Sequence, residues 1–186
     1  MSTAARKHDY VSEEDYLAGE LQSEVRHEYL GGEVYAMAGE TRTHNTISLN
    51  LALALRHHLC GGSCRTYIAD IRLSLSLHSD RYYYYPDLVV TCDARDQHPR
   101  FVHHPKLLIE VLSESPQRVE RREKFFAYTT LEALEEYILV EQDKRELTVF
   151  RRSDGWKGEV VAGPDASVRF ESIGLTLPLG TVYEGL

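Results

Sequence analysis

The chain has 186 residues, 42% of them hydrophobic and 27% charged, with a formal net charge of -8, a balance that suits one globular domain with a real core and excludes long disorder. So acidic a total argues against a protein that coats duplex DNA regardless of sequence, but leaves room for an enzyme whose acidic cleft is neutralised by divalent cations. Three cysteines, an odd number, suggest free thiols in a reducing compartment; MSTAARKHDY holds no apolar signal-peptide core, and no apolar run spans a membrane, so the expected location is cytoplasmic.

Ser12 before Glu13, Glu14 and Asp15 predicts a capped short helix. Arg26 to Met37 reads as two short strands about a Gly31-Gly32 turn. A longer helix opens at Thr43: Ile47, Leu51, Ala54, Leu55 and Leu59 recur at helical spacing, and Gly61-Gly62 ends it. Tyr67, Ile71, Leu73, Leu75 and Leu77 alternate with polar residues, which predicts one strand with an apolar face. His78 to Arg81 makes a turn, and Tyr82 to Val90 returns as a second strand in which Pro86 marks an end, an edge or a bulge.

Asp93 to Pro105 is a polar loop carrying His98, His103 and His104. Leu107 to Leu112 is an apolar run interrupted only by Glu110, the pattern of a strand covered on both faces. A turn at Ser113 to Pro116, a helix from Gln117 to Thr130 and a strand from Glu136 to Glu141 follow. Beyond them, Leu147 to Arg151, a Ser153-Asp154-Gly155 turn, Trp156 to Val161 and Arg169 to Leu177 are β-rich. The expected domain is the whole of 1–186, with a core at about 43–142 and β additions on either side.

The carboxylates carry the chemistry. With a four-residue loop at 78–81, Leu77 faces Tyr82, Arg72 faces Asp87, and Asp70 lies one diagonal step from Asp87 on the face without leucines. Glu110 stands among Leu107, Leu108, Ile109, Val111 and Leu112, where an ionised carboxylate is costly unless a cation or strong donors meet it. Two carboxylates on neighbouring strands suit Mg²⁺ or Mn²⁺, which can activate a water and neutralise phosphate charge. The plainer reading of Glu110 is a salt bridge or a strand end reaching solvent. Lys124, on the next helix, is a candidate to assist that water, although spacing alone favours a surface pair with Glu120.

The strings Tyr84-Tyr85-Pro86-Asp87-Leu88-Val89-Val90 and Leu107-Leu108-Ile109-Glu110-Val111-Leu112-Ser113, followed by Glu123-Lys124-Phe125, Tyr128 and Glu136 to Val140, resemble a restriction endonuclease family of the PD-(D/E)XK nuclease superfamily. The resemblance runs from about Tyr10 to Leu179. It implies an α/β (α+β) fold with a restriction endonuclease-like core, a central mixed β-sheet flanked by helices, here with an N-terminal β-hairpin and C-terminal β additions. It implies a site at a sheet edge, with Asp87 and Glu110 as metal ligands. The superfamily's usual lysine, two residues after the acid, is Leu112 here; the family's lysine on the following helix matches Lys124. Glu28, His44 and Asp70 also match recurrent positions, Glu28 or Asp70 as a further acid (Asp70 as a further metal ligand) and His44 as a substrate contact. For His44 a capping or surface role is the plainer reading.

Other signals point elsewhere. His57, Cys60 and Cys64 lack a standard zinc spacing. Tyr82 to Tyr85 cannot form one base-stacking platform, since alternate side chains point oppositely in a strand. Arg118, Arg121, Arg122 and Lys124 make a local basic stretch that fits phosphates or a solvated face.

The expectation is a metal-dependent endonuclease hydrolysing phosphodiester bonds, most simply of DNA, with Asp87, Glu110 and the Val111 backbone carbonyl around Mg²⁺ or Mn²⁺ and Lys124 assisting the water. A homodimer would suit a symmetric DNA site. The rival readings are a catalytically inactive nucleic-acid-binding or oligomerisation module on the same scaffold, and a hydrolase of a small phosphoester.

Overall fold

The computed structural model describes residues 10–112 and 118–186, with only the backbone of 118–121. The turn expected at Ser113 to Pro116 therefore lies outside the described residues, as does the side chain of Glu120.

Ser12 caps α1 (Glu13–Glu20) by accepting a hydrogen bond from the Asp15 amide. β1 (His27–Leu30) and β2 (Glu33–Ala36) form the expected hairpin, with Gly31 and Gly32 both at positive φ in its turn. α2 (Arg42–His58) starts one residue before Thr43, and Thr41 supplies its cap by accepting from the His44 amide. Ile47, Leu51 and Leu55 give α2 its buried stripe, and Arg56, His57 and His58 sit favourably at its C-terminal end.

The alternating stretch is two strands rather than one. β3 (Arg65–Ile68) and β4 (Arg72–Leu77) are separated by Ala69 at φ 50, and they enter different sheets. The hairpin from β4 to β5 (Asp80–Tyr84) is also tighter than expected, pairing Leu77 with Asp80 and Leu73 with Tyr84. His78, at φ 58, allows the two-residue turn. Arg72 is consequently not opposite Asp87, which lies past Pro86 at the entrance to β6 (Leu88–Thr91). Pro86 does interrupt the strand, as its missing donor requires.

β7 (Phe101–Val102) lies within the polar loop, and β8 (Pro105–Val111) is the apolar strand. α3 (Arg118–Thr129), β9 (Glu136–Val140), β10 (Glu146–Arg151), β11 (Gly158–Ala162), β12 (Ser167–Phe170), β13 (Leu175–Pro178) and α4 (Leu179–Val182) complete the order.

The six-stranded sheet runs β11-β10-β9-β8-β6-β3, mixed because β8 and β9 are parallel. A five-stranded sheet runs β2-β1-β5-β4-β7, and β12 pairs with β13 alone. One core joins α2 and the C-terminal segment to Leu88, Val90, Leu107, Ile109 and Val111 of the larger sheet. The second joins Val89 and Leu108 to Leu73 and Tyr84 of the smaller sheet and to Ala127 and Tyr128 of α3. Successive residues of β6 and β8 thus go to opposite cores, which is why those strands read as unbroken apolar runs.

The expectation of free thiols is corrected. Cys64 and Cys92 form a disulfide, because Arg65 pairs with Thr91 and the residues flanking that pair stand opposite one another across the ladder. Cys60 is free and exposed. The pairing spans 28 residues of sequence, and its basis is the β3–β6 register.

Candidate active site

The register of β6 on β8 brings the two acids together. Leu88 faces Ile109, so one further step sets Asp87 opposite Glu110. Asp87 follows the proline that ends β5, and its carbonyl accepts from the Ala69 amide at 3.1 Å. Its Oδ2 accepts from the Val111 amide at 2.7 Å and meets His44 Nε2 at 3.0 Å. His44 is buried, on the first turn of α2. Burial opposes its positive charge, but the hydrogen bond and the charge of Asp87 prevail and raise its pKa. Its ring is buried against Asp87 rather than set on the surface or at the cap of the plainer reading.

Glu110 points into the second core, where the Tyr128 hydroxyl donates to Oε1 at 2.9 Å. Lys124 Nζ stands 3.7 Å from the same oxygen. Burial pushes the Glu110 pKa up; Lys124 opposes that, while the charges of Asp87 and Glu28 add to it. Lys124 and Tyr128 are four residues apart on α3 and so share a face.

Glu28 belongs to the smaller sheet and is 6% exposed. Its Oε1 lies 2.8 Å from Lys124 Nζ and accepts from the Tyr85 amide at 3.3 Å. Lys124 is 12% exposed at its side chain, so it turns inward toward the acids rather than out to the surface. Asp70 does not: its side chain is 82% exposed and 3.3 Å from Arg26 Nε. The turn at Ala69 breaks the strand that would have carried Asp70 inward, which corrects its assignment as a metal ligand.

Of the sequence candidates, Glu28, His44, Asp87, Glu110 and Lys124 converge and Asp70 is left out. Tyr128 was legible only as part of the family resemblance. Among the described residues no group of three or more His, Cys, Asp or Glu is arranged as a metal cage. Mg²⁺ and Mn²⁺ need only one or two carboxylates and retain several waters, and the donor set fits them. The contacts described at Asp87 fall on Oδ2 and those at Glu110 on Oε1.

The family description "Uma2: Putative restriction endonuclease" matches residues 13–180. The chain belongs to the Uma2 family. Two proteins of Synechocystis sp. (strain ATCC 27184 / PCC 6803 / Kazusa) are similar to this Uma2 chain. "Uncharacterized protein slr1290" is 35% identical over 181 residues, covering 95% of this chain and 93% of its own. "Uncharacterized protein sll1609" is 30% identical over 131 residues, 69% and 73% of the two chains. A crystal structure from Anabaena variabilis ATCC 29413, described as "a putative nuclease belonging to DUF820", superposes with a TM-score of 0.72 at 18% identity, over 87% of this chain and 91% of that one. That likeness shows a shared fold. Among the described residues, no helix of this Uma2 chain is long and apolar enough to cross a membrane.

Proposed function

We propose that this Uma2 protein is a divalent-metal-dependent endonuclease that hydrolyses phosphodiester bonds of nucleic acid, with DNA the expected substrate. The observation that carries the reading is Glu110: a buried carboxylate set across from Asp87, its pKa raised, with a lysine amine 3.7 Å away. Three acids, Glu28, Asp87 and Glu110, cluster with Lys124 and His44, and a hard cation would offset the cost of ionising the buried Glu110.

Asp87 and Glu110 would hold Mg²⁺ or Mn²⁺, with the Val111 backbone carbonyl beside them. Such an ion polarises a phosphoryl oxygen and makes water a competent nucleophile near neutral pH. His44 and the Val111 amide fix the rotation of the Asp87 carboxylate. Lys124, paired with Glu28, enters as a cation; it donates hydrogen bonds to the attacking water or to a non-bridging phosphate oxygen as charge grows there.

The test is cleavage of plasmid DNA in Mg²⁺ or Mn²⁺ against EDTA, with Asp87→Ala and Lys124→Ala beside the wild type. Each variant is expected to lose on the order of 10²-fold or more in rate. Metal-dependent cleavage that survives Asp87→Ala would remove the assignment. One observation favours the rival, inactive module: Glu28 with Lys124 and Asp87 with His44 already neutralise one another in part. That reading predicts no Mn²⁺ binding at millimolar concentration.

A further inference from the structure

Two donors on separate elements hold Asp87: the His44 ring on α2 and the Val111 amide at the end of β8. Its rotation therefore depends on how the start of α2 sits against the end of β8. A second set of hydrogen bonds joins those two ends directly. Thr41 Oγ1 accepts the His44 amide at 3.0 Å, and its own hydroxyl donates to Gln142 Oε1 at 2.6 Å. Gln142 Nε2 in turn donates to the Leu112 carbonyl at 2.8 Å, one residue past Val111. The Leu112 amide donates to Val140 at 2.8 Å, anchoring that end of the chain to β9.

The circuit is closed: Asp87, His44, Thr41, Gln142, Leu112, Val111 and back to Asp87. Thr41 and Gln142 are 101 residues apart in sequence. Gln142 uses both ends of its amide on different elements, an acceptor toward α2 and a donor toward β8. Among the described residues neither is hydrogen-bonded to Asp87 or Glu110, and a helix cap needs only the Thr41 oxygen, not its proton.

We propose that Thr41 and Gln142 are positioning residues of the metal site, a latch that holds the His44 and Val111 donors at the spacing that fixes the Asp87 carboxylate opposite Glu110. The proposal rests on the reading of Asp87 and Glu110 as the seat of a divalent cation. Partners of metal ligands typically change affinity by about 10- to 100-fold when removed.

The full chain is titrated with Mn²⁺, counting free ion by electron paramagnetic resonance, as wild type, Asp87→Ala, Gln142→Leu, Thr41→Val and Thr41→Ser; melting in EDTA is recorded for each. Gln142→Leu and Thr41→Val are expected to weaken Mn²⁺ binding about 10-fold, while Gln142→Leu melts within about 4 °C of wild type. Thr41→Ser, which restores both the cap and the hydroxyl proton, stays within about twofold of wild type. The latch is overturned if Gln142→Leu binds Mn²⁺ like wild type, or if Thr41→Ser loses as much as Thr41→Val. Wild type that binds no more Mn²⁺ than Asp87→Ala overturns the metal site itself, and the latch with it.

Discussion

Replacing Glu110 by glutamine separates a metal seat from a structural ion pair. Glutamine keeps the volume and still accepts from the Tyr128 hydroxyl, but it removes the charge. The attraction lost is that to Lys124 Nζ at 3.7 Å, about 4 kcal/mol at an effective dielectric constant of ~20. Lys124 stands closer to Glu28, at 2.8 Å, so the pocket keeps an ion pair without Glu110. Against that attraction stand the repulsions from Asp87 and Glu28 and a desolvation cost of several kcal/mol for a buried ion. The raised pKa of Glu110 says that the balance runs against the charged form. Glu110→Gln is therefore expected to stabilise the metal-free protein by on the order of 2–3 kcal/mol at pH 8, or about 5–10 °C in Tm for a chain of this size. Calorimetry in EDTA measures this directly. A carboxyl group whose pKa is raised by folding stabilises the fold fully only below its unfolded pKa, and that stabilisation is lost as pH rises through the folded value. The gap between variant and wild type therefore widens from pH 5 to 8. With millimolar Mn²⁺ the order reverses, since wild type gains ligand stabilisation that the variant lacks. A lower Tm for Glu110→Gln in EDTA would refute the reasoning and make Glu110 the partner of a structural salt bridge.

Lys124→Met is expected to slow plasmid cleavage about 100-fold while leaving Mn²⁺ affinity equal to or tighter than wild type, since a positive charge has left an acidic pocket; calorimetric titration beside rate measurements checks both halves. Glu136, nearly fully buried, accepts from Arg151, the Glu171 and Ser172 amides and the Ser172 hydroxyl. Glu136→Leu leaves Arg151 short of a partner and is expected to cost about 3–5 kcal/mol, read as a fall in Tm, with cleavage per folded molecule unchanged. Denatured, unreduced protein should titrate with one thiol per chain and reduced protein with three, as the Cys64–Cys92 bond and free Cys60 require. Reducing that bond is expected to cost about 3.5 kcal/mol, for a loop of this length.

The elements were legible where one periodicity held without interruption. α2 showed its Ile47-Leu51-Leu55 stripe, β8 its apolar run, and the first hairpin its paired glycines. The break at Ala69 was masked: the odd positions from Tyr67 to Leu77 stay apolar through it, because β3 and β4 present apolar side chains to the same core from two sheets, and only Ile68, apolar and out of phase, marks the interruption. Missing the break drew Asp70 inward, and the hairpin at 78–79, two residues tighter than read, displaced the register. Glu110 declared itself by being charged among aliphatic neighbours, and Asp87 by its proline. Helical spacing reveals local pairs only, so for Lys124 it offered Glu120, whose side chain lies outside the described residues. Its contact with Glu28 crosses from α3 to the smaller sheet, and no local pattern records such a meeting. Thr41 with Gln142, and Cys64 with Cys92, were hidden for the same reason.

The chain leaves one sheet at Tyr84 and joins the other at Leu88, and Asp87 sits on that short bridge. Glu28 arrives from the first layer, Glu110 from the second, and Lys124 from the helix laid across them. A slip of one layer past the other, too small to unravel a single strand, would pull this trio apart. Warming or mild denaturant would then silence turnover while circular dichroism still reports an intact fold.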